Sequence, residues 1–238
     1  ADLEGDGNID AVTGHRGSGD RVNVHPGNGD GTFGTALEFP SGGGDIWGVT
    51  LVDLDKDGLT DIVAAARSGD KLVVLTNTST PGALSFVQSE ILVGDDPLVV
   101  VTEDFNGDTW PDLAVTNYGS RNVSLILSDG SGGFLPESKV AETDPVSRPY
   151  GAAAGDLNND TFADLVLGDD FNSERIVVLL GAGDGSFGAP AFYDFPSGWS
   201  PSSVAMADFD QDGAMDLGVT QGSFNTSDYS IYPGLGDG

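Results

Sequence analysis

Apolar residues in this chain fall in short runs of four to six, each closed by Gly, Asp or Asn. Examples are "WGVTLV" (47–52), "LVVVT" (98–102), "SVAMA" (203–207) and "DIVAAA" (61–66). No window sustains the 3.6-residue spacing of an amphipathic helix, so the pattern predicts strands and turns with little helix. The runs "RVNVH", "KLVVLT", "NVSLIL", "RIVVLL" and "YSIYP" have the same character. More polar segments, "TALEFP", "SFVQSEIL" and "PAFYDFP", complete the set.

The runs are ordered by a repeat. Five nine-residue stretches match: "DLEGDGNID" from Asp2, "DLDKDGLTD" from Asp53, "DFNGDTWPD" from Asp104, "DLNNDTFAD" from Asp156 and "DFDQDGAMD" from Asp208. Their spacings are 51, 51, 52 and 52 residues, a period that marks a propeller or solenoid. A second landmark keeps step: "GNGDGTF" ends at Phe33, "GSGGF" at Phe134 and "GAGDGSF" at Phe187, with the looser "PGALSF" ending at Phe86. Each repeat then reads as strand A, the Asp loop, strands B and C, the Gly-Phe turn and strand D. Small residues in A and polar ones in D suit a propeller blade, with A innermost and D solvated. The expected fold is an all-β propeller of four-stranded antiparallel blades, one region over 1–238. Its blades are expected at about 1–45, 46–96, 97–148, 149–200 and 201–238. The first lacks strand A and the last lacks strand D, giving 18 strands.

The combination of apolar strand, "DxDxDGxxD" loop, "D-L-x-V" strand and "GxGDGxF" turn resembles the FG-GAP and VCBS repeats of integrin-α-like β-propellers. Five copies in register carry that resemblance over nearly the whole chain. It implies calcium in the loops and, from the family's commonest form, a seven-bladed ring. The open edges are then expected to be covered by remaining blades of a parent protein or by another chain. Thr109 and Thr161 depart from the pattern, standing where Gly is usual.

The loop chemistry is that of a hard cation. Ca²⁺ takes six to eight oxygens at about 2.3–2.6 Å, and a nine-residue loop supplies them from side chains 1, 3, 5 and 9 and carbonyl 7. The expected ligands are Asp2, Glu4, Asp6, Asp10 with Asn8; Asp53, Asp55, Asp57, Asp61 with Leu59; Asp104, Asn106, Asp108, Asp112 with Trp110; Asp156, Asn158, Asp160, Asp164 with Phe162; and Asp208, Asp210, Asp212, Asp216 with Ala214. Up to five Ca²⁺ are expected, one per blade. An EF-hand is excluded, because it needs Glu at position 12 and the second loop has Ala64 there.

Charge sharpens this picture. The formal net charge is −29, and 31 of the 38 acids are Asp, the side chain that reaches back into its own turn. Such a charge excludes nucleic acid as a partner. No apolar run is long enough to insert in a membrane as a helix. With no Cys, neither disulfides nor thiolate metal sites exist. An extracellular or cell-surface location is expected, with metal as the cross-link.

Strand order puts the A–B and C–D turns on one face and the B–C and D–A turns on the other. The second face collects what differs between repeats: His15, Arg16, Arg67, Asn117, Tyr118, Arg121, Asp169, Asp170, Phe171 and Gln221, with Trp47, Tyr150 and Trp199 from the D–A turns. The candidate ligand contacts are His15, Arg16, Trp47, Arg67, Asn117, Tyr118, Tyr150, Asp169, Trp199 and Gln221. Trp and Tyr there suit stacking on a sugar or anchoring a protein, or packing between blades. His15 and His25 are the only histidines, and nothing pairs either with a nucleophile. The reading is a non-catalytic recognition or adhesion module for a glycan or an extracellular protein. The alternatives are the propeller of a polysaccharide lyase or hydrolase, and an architectural spacer. Asn-x-Ser/Thr sequons occur at Asn77, Asn122, Asn159 and Asn225.

Overall fold

The computed structural model describes residues 1–17, 19–140, 148–169, 174–195, 201–221 and 229–234. Five antiparallel sheets follow one another. The first holds β1 (Ala11–Gly14), β2 (Arg21–His25) and β3 (Leu37–Pro40). The second holds β4 (Ile46–Val52), β5 (Asp61–Ala66), β6 (Lys71–Asn77) and β7 (Phe86–Leu92). The third holds β8 (Pro97–Glu103), β9 (Asp112–Asn117), β10 (Asn122–Ile126) and β11 (Ser138–Val140). The fourth holds β12 (Pro149–Gly155), β13 (Asp164–Asp169), β14 (Arg175–Leu179) and β15 (Ala191–Asp194). The fifth holds β16 (Pro201–Ala207), β17 (Asp216–Gln221) and β18 (Tyr229–Tyr232). Among the described residues there are thus 18 strands in the expected 3, 4, 4, 4, 3 arrangement and no α-helix. Among the described residues no helix is long and apolar enough to cross a membrane.

Packing explains why these runs are apolar at consecutive positions. In β5, Ile62, Ala64 and Ala66 face the first sheet, packing with Leu3, Val22 and Val24. Val63 and Ala65 point the other way, onto Val100, Leu113 and Val115 of the third sheet. Successive side chains of a strand alternate faces. A strand sandwiched between two blades therefore buries every residue, as β5 and β9 do. Leu165 and Leu167 join the third and fourth sheets, and Val166 with Val219 joins the fourth and fifth. Each core lies between consecutive blades; among the described residues none joins the fifth sheet to the first.

The A strands are innermost and crowded. A Cβ on Gly48 of β4 would lie 2.5 Å from the Leu98 carbonyl of β8, and one on Gly151 of β12 would lie 2.9 Å from the Ser202 carbonyl of β16. Glycine is required there by backbone approach between neighbouring blades. The D strands are solvated: all four residues of β15 are exposed. The Gly-Phe landmark closes the C–D turn through isolated bridges such as Gly27 to Phe33 and Gly181 to Phe187.

Candidate metal centres and the opposite face

Each loop is organised around its last Asp. Asp10, Asp61, Asp112, Asp164 and Asp216 are all buried. One oxygen of each accepts the N–H of the loop's second residue: Leu3 (2.7 Å), Leu54 (2.8 Å), Phe105 (3.0 Å), Leu157 (2.8 Å) and Phe209 (2.8 Å). The other accepts an N–H from the end of strand C: Gly27 (2.8 Å), Asn77 (2.6 Å), Ser128 (2.7 Å), Gly181 (2.8 Å) and Gly234 (2.8 Å). The carboxylate thus staples the A–B loop to the C–D corner. Burial pushes the Asp61 and Asp164 carboxyls up from their usual range, and that of Asp112 to about 6. The second residue matters too. Leu3, Leu54, Phe105 and Leu157 plug the cores between blades.

The acids at positions 1 and 5 shape the turn. The Asp2, Asp53, Asp104, Asp156 and Asp208 carboxylates accept the N–H of position 6, at 2.7–3.0 Å. The Asp at position 5 accepts the N–H of position 7, fixing Asn8, Leu59, Trp110, Phe162 and Ala214 in place. Position 6 is left-handed throughout, with φ of +91° at Gly7 and Gly58 and +94° at Gly213. Thr109 and Thr161 adopt the same conformation at +73° and +77°, strained for a β-branched residue.

Donor atoms converge in three loops. The ligating atoms of Asp2, Glu4 and Asp10 lie within 4.8 Å of one another, as do those of Asp53, Asp55 and Asp57, and of Asp208, Asp210 and Asp216. Glu4 Oε2 and Asp53 Oδ1 are buried with no hydrogen-bond donor. A cation would satisfy an ionised oxygen in that position, so the residues fit a divalent metal. Burial, reinforced by the adjoining Asp10 carboxyl, pushes Glu4 to about 7. In the third and fourth loops the Asn106 and Asn158 amides donate to Asp108 and Asp160 at 3.0 and 2.9 Å, replacing a carboxylate by an internal bond. Titration of single-loop variants is therefore expected to find the second and fifth loops binding Ca²⁺ more tightly than the third and fourth. Tightest binding in the third and fourth would refute the charge argument.

The C–D turns beside the loops are self-sufficient. Asp30, Asp129 and Asp184 each accept the hydroxyl and N–H of the residue two on, Thr32, Ser131 or Ser186, which holds their carboxyls below the usual range.

On the opposite face, several expected contacts come together. The Arg16 guanidinium lies 3.7 Å from the Trp47 ring centroid and that of Arg67 lies 4.9 Å from it. Arg67 and Arg148 also cover Tyr118, at 5.7 and 4.9 Å. Tyr150 meets Trp47 and Tyr118 edge-on at 6.2 and 6.1 Å. Arg148 donates to the Tyr118 hydroxyl at 2.9 Å, and Arg67 pairs with Asp96 at 3.2 Å. The result is an alternating stack, Arg16, Trp47, Arg67, Tyr118 and Arg148, drawn from several blades. All six arginines of the chain lie in or beside B–C and D–A connections, whereas the acidic loops occupy the other face.

Other expected contacts are placed differently. Asn117 is fully buried and donates to Asn122 and Ser124, because it ends β9 opposite Pro97. Asp169 is also buried, accepting the Arg148 N–H and pairing with Arg175 at 3.3 Å. His15 and Arg16 are exposed. Trp199, Asp170 and Phe171 lie outside the described residues, as does the side chain of Gln221. Two sequon residues, Asn77 and Asn122, are buried, which removes them as glycan acceptors; Asn159 is exposed and Asn225 lies outside the described residues. The sequence did not point to Arg148, which ends the stack.

Five blades in sequence, each with an acidic A–B loop stapled to its C–D corner, define a repeat protein of the β-propeller type. Its repeats match the FG-GAP-like repeat model over residues 2–64, 55–115, 104–167 and 156–219, so the chain belongs to that family. No curated protein sequence matches it. Among solved structures it is similar to the Photorhabdus luminescens Tc holotoxin pore (18% identity, TM-score 0.53, covering 98% of this chain and 11% of that one). An Agrocybe aegerita structure, solved for specific recognition of non-reducing terminal N-acetylglucosamine by a lectin, is similar at 21% identity and TM-score 0.56, covering 100% of this chain and 56% of that one. A putative 6-phosphogluconolactonase from Bacteroides fragilis is similar at 12% identity and TM-score 0.58, covering 96% of this chain and 68% of that one. At these identities the likeness is one of fold. The chain spans about a tenth of the length of the first and about half of the second.

Proposed function

We propose that this chain is a non-catalytic extracellular recognition module whose loops hold structural Ca²⁺ and whose B–C/D–A face binds a glycan or a protein. The observation that carries the reading is the division of chemistry between faces. One face bears acidic loops with orphaned carboxylate oxygens; the other bears every arginine, three of them stacked on Trp47 and Tyr118, which Tyr150 meets edge-on. Arg and aromatic residues are the side chains that dominate binding energy at interfaces. A stack that is already packed loses little freedom on binding. Ca²⁺ sites of extracellular modules work at about 10⁻⁴–10⁻³ M, which suits modest loops serving in place of disulfides. The fold likeness to the Agrocybe aegerita lectin makes saccharides the first ligand class to test.

The test is a glycan array run beside a polysaccharide-degradation screen, with wild type and an Arg16→Ala, Arg67→Ala variant of unchanged fold. Binding by wild type that the variant loses supports the reading. Binding that survives in the variant moves the site off this face. Degradation without retained binding favours the enzyme alternative, and silence in both favours an architectural role.

A further inference from the structure

Lys56 is the only Lys or Arg in any A–B or C–D connection. It occupies position 4 of the second loop, between Asp55 and Asp57, in a left-handed conformation at φ +58°. Its side chain leaves its own loop of carboxylates. The ammonium donates to the Thr109 hydroxyl of the third loop at 2.9 Å and sits 4.7 Å from the Trp110 ring centroid. Thr109 and Trp110 are the residues whose N–H groups hold Asp104 (2.7 Å) and Asp108 (2.8 Å), two ligand candidates of the third loop.

A second contact joins the same two loops. The C–D turn of the third blade passes between them: a Cβ on Gly132 would lie 2.7 Å from the Asp55 Cβ, and one on Gly130 would lie 3.9 Å from the Trp110 indole nitrogen. The second loop is thus gripped by the third blade at both Asp55 and Lys56. Position 4 is Gly5 in the first loop and Gly107 in the third, which have no side chain to make such a link.

We infer that Lys56 couples the second and third cation sites, so that filling the second strengthens binding at the third. This rests on the metal reading proposed above. A cation on Asp53, Asp55 and Asp57 fixes the backbone that carries Lys56. The fixed Lys56 in turn pins Thr109 and Trp110, and with them the amides that aim Asp104 and Asp108. Ordering that one site has already undergone need not be repeated by the next, which is positive coupling. Coupling between sites is reciprocal.

Trp110, the only Trp in an A–B loop, stands at position 7 of the third loop. Terbium emission sensitised through indole excitation would report Tb³⁺ at that loop, and any emission that survives Asp108→Asn is subtracted as the second loop's share. Four proteins are titrated with Tb³⁺: wild type, Asp55→Asn, Lys56→Met and the double variant. The expected result is that Asp55→Asn weakens the Trp110-sensitised site on the order of fivefold when Lys56 is present and leaves it unchanged in the Lys56→Met background. Thr109→Val, which removes the acceptor but keeps the shape, should reproduce Lys56→Met. Equal weakening by Asp55→Asn in both backgrounds overturns the coupling while leaving the metal reading intact. No sensitised emission from wild type at any Tb³⁺ concentration overturns the metal reading itself.

Discussion

Excess chelator is expected to lower the melting temperature, and added Ca²⁺ to restore it. A ligand that binds only the folded state stabilises it by about 2.7 kcal/mol at a concentration 100 times its dissociation constant. In a domain of this size 1 kcal/mol moves the midpoint by roughly 2–4 °C. Each saturated loop is therefore worth roughly 5–11 °C, and several together more. The reason is local. In the second loop Asp53, Asp55 and Asp57 converge within 4.8 Å, Asp53 Oδ1 has no donor, and no cysteine exists to supply another cross-link. Scanning calorimetry with and without chelator decides the matter, and superimposable curves would sink the structural role of the metal.

The repeat period and the strand order were legible because the propeller imposes them on every residue. β5 and β9 are buried on both faces, so their apolar runs are continuous and stand out against the Asp and Gly turns. The loops were legible as turns for the same reason: a nine-residue Asp pattern is local, and five copies fix its register. The opposite face was less so. Arg16, Trp47, Arg67, Tyr118 and Arg148 meet across several blades, and no spacing along the chain encodes a contact between residues 16 and 47 or 118 and 148. Equivalence between repeats also misled. Asn117 shares its offset with exposed His15, yet it closes a strand pair with Pro97 and is fully buried. Lys56 reads as an ordinary charged turn residue until the third blade is placed beside it.

The last Asp of each loop is a structural staple and, in the proposed reading, also a metal ligand, and one variant separates the two. Both Asp61 oxygens accept buried backbone N–H groups, from Leu54 at 2.8 Å and Asn77 at 2.6 Å. Asp61→Ala leaves both donors unpaired, at about 1–3 kcal/mol each, in addition to losing a proposed ligand. Asp55 instead accepts a single contact within its own turn, the Asp57 N–H at 3.2 Å, so Asp55→Ala removes a proposed ligand and little else. With Ca²⁺ both variants should melt below wild type. In excess chelator the two should part: Asp55→Ala is expected to rejoin metal-free wild type, while Asp61→Ala stays lower by about 2–6 kcal/mol. Denaturant melts of the three proteins in chelator provide the measurement. If Asp61→Ala also converged with metal-free wild type, the staple between the A–B loop and the C–D corner would contribute nothing of its own, and the ninth position would be a ligand alone.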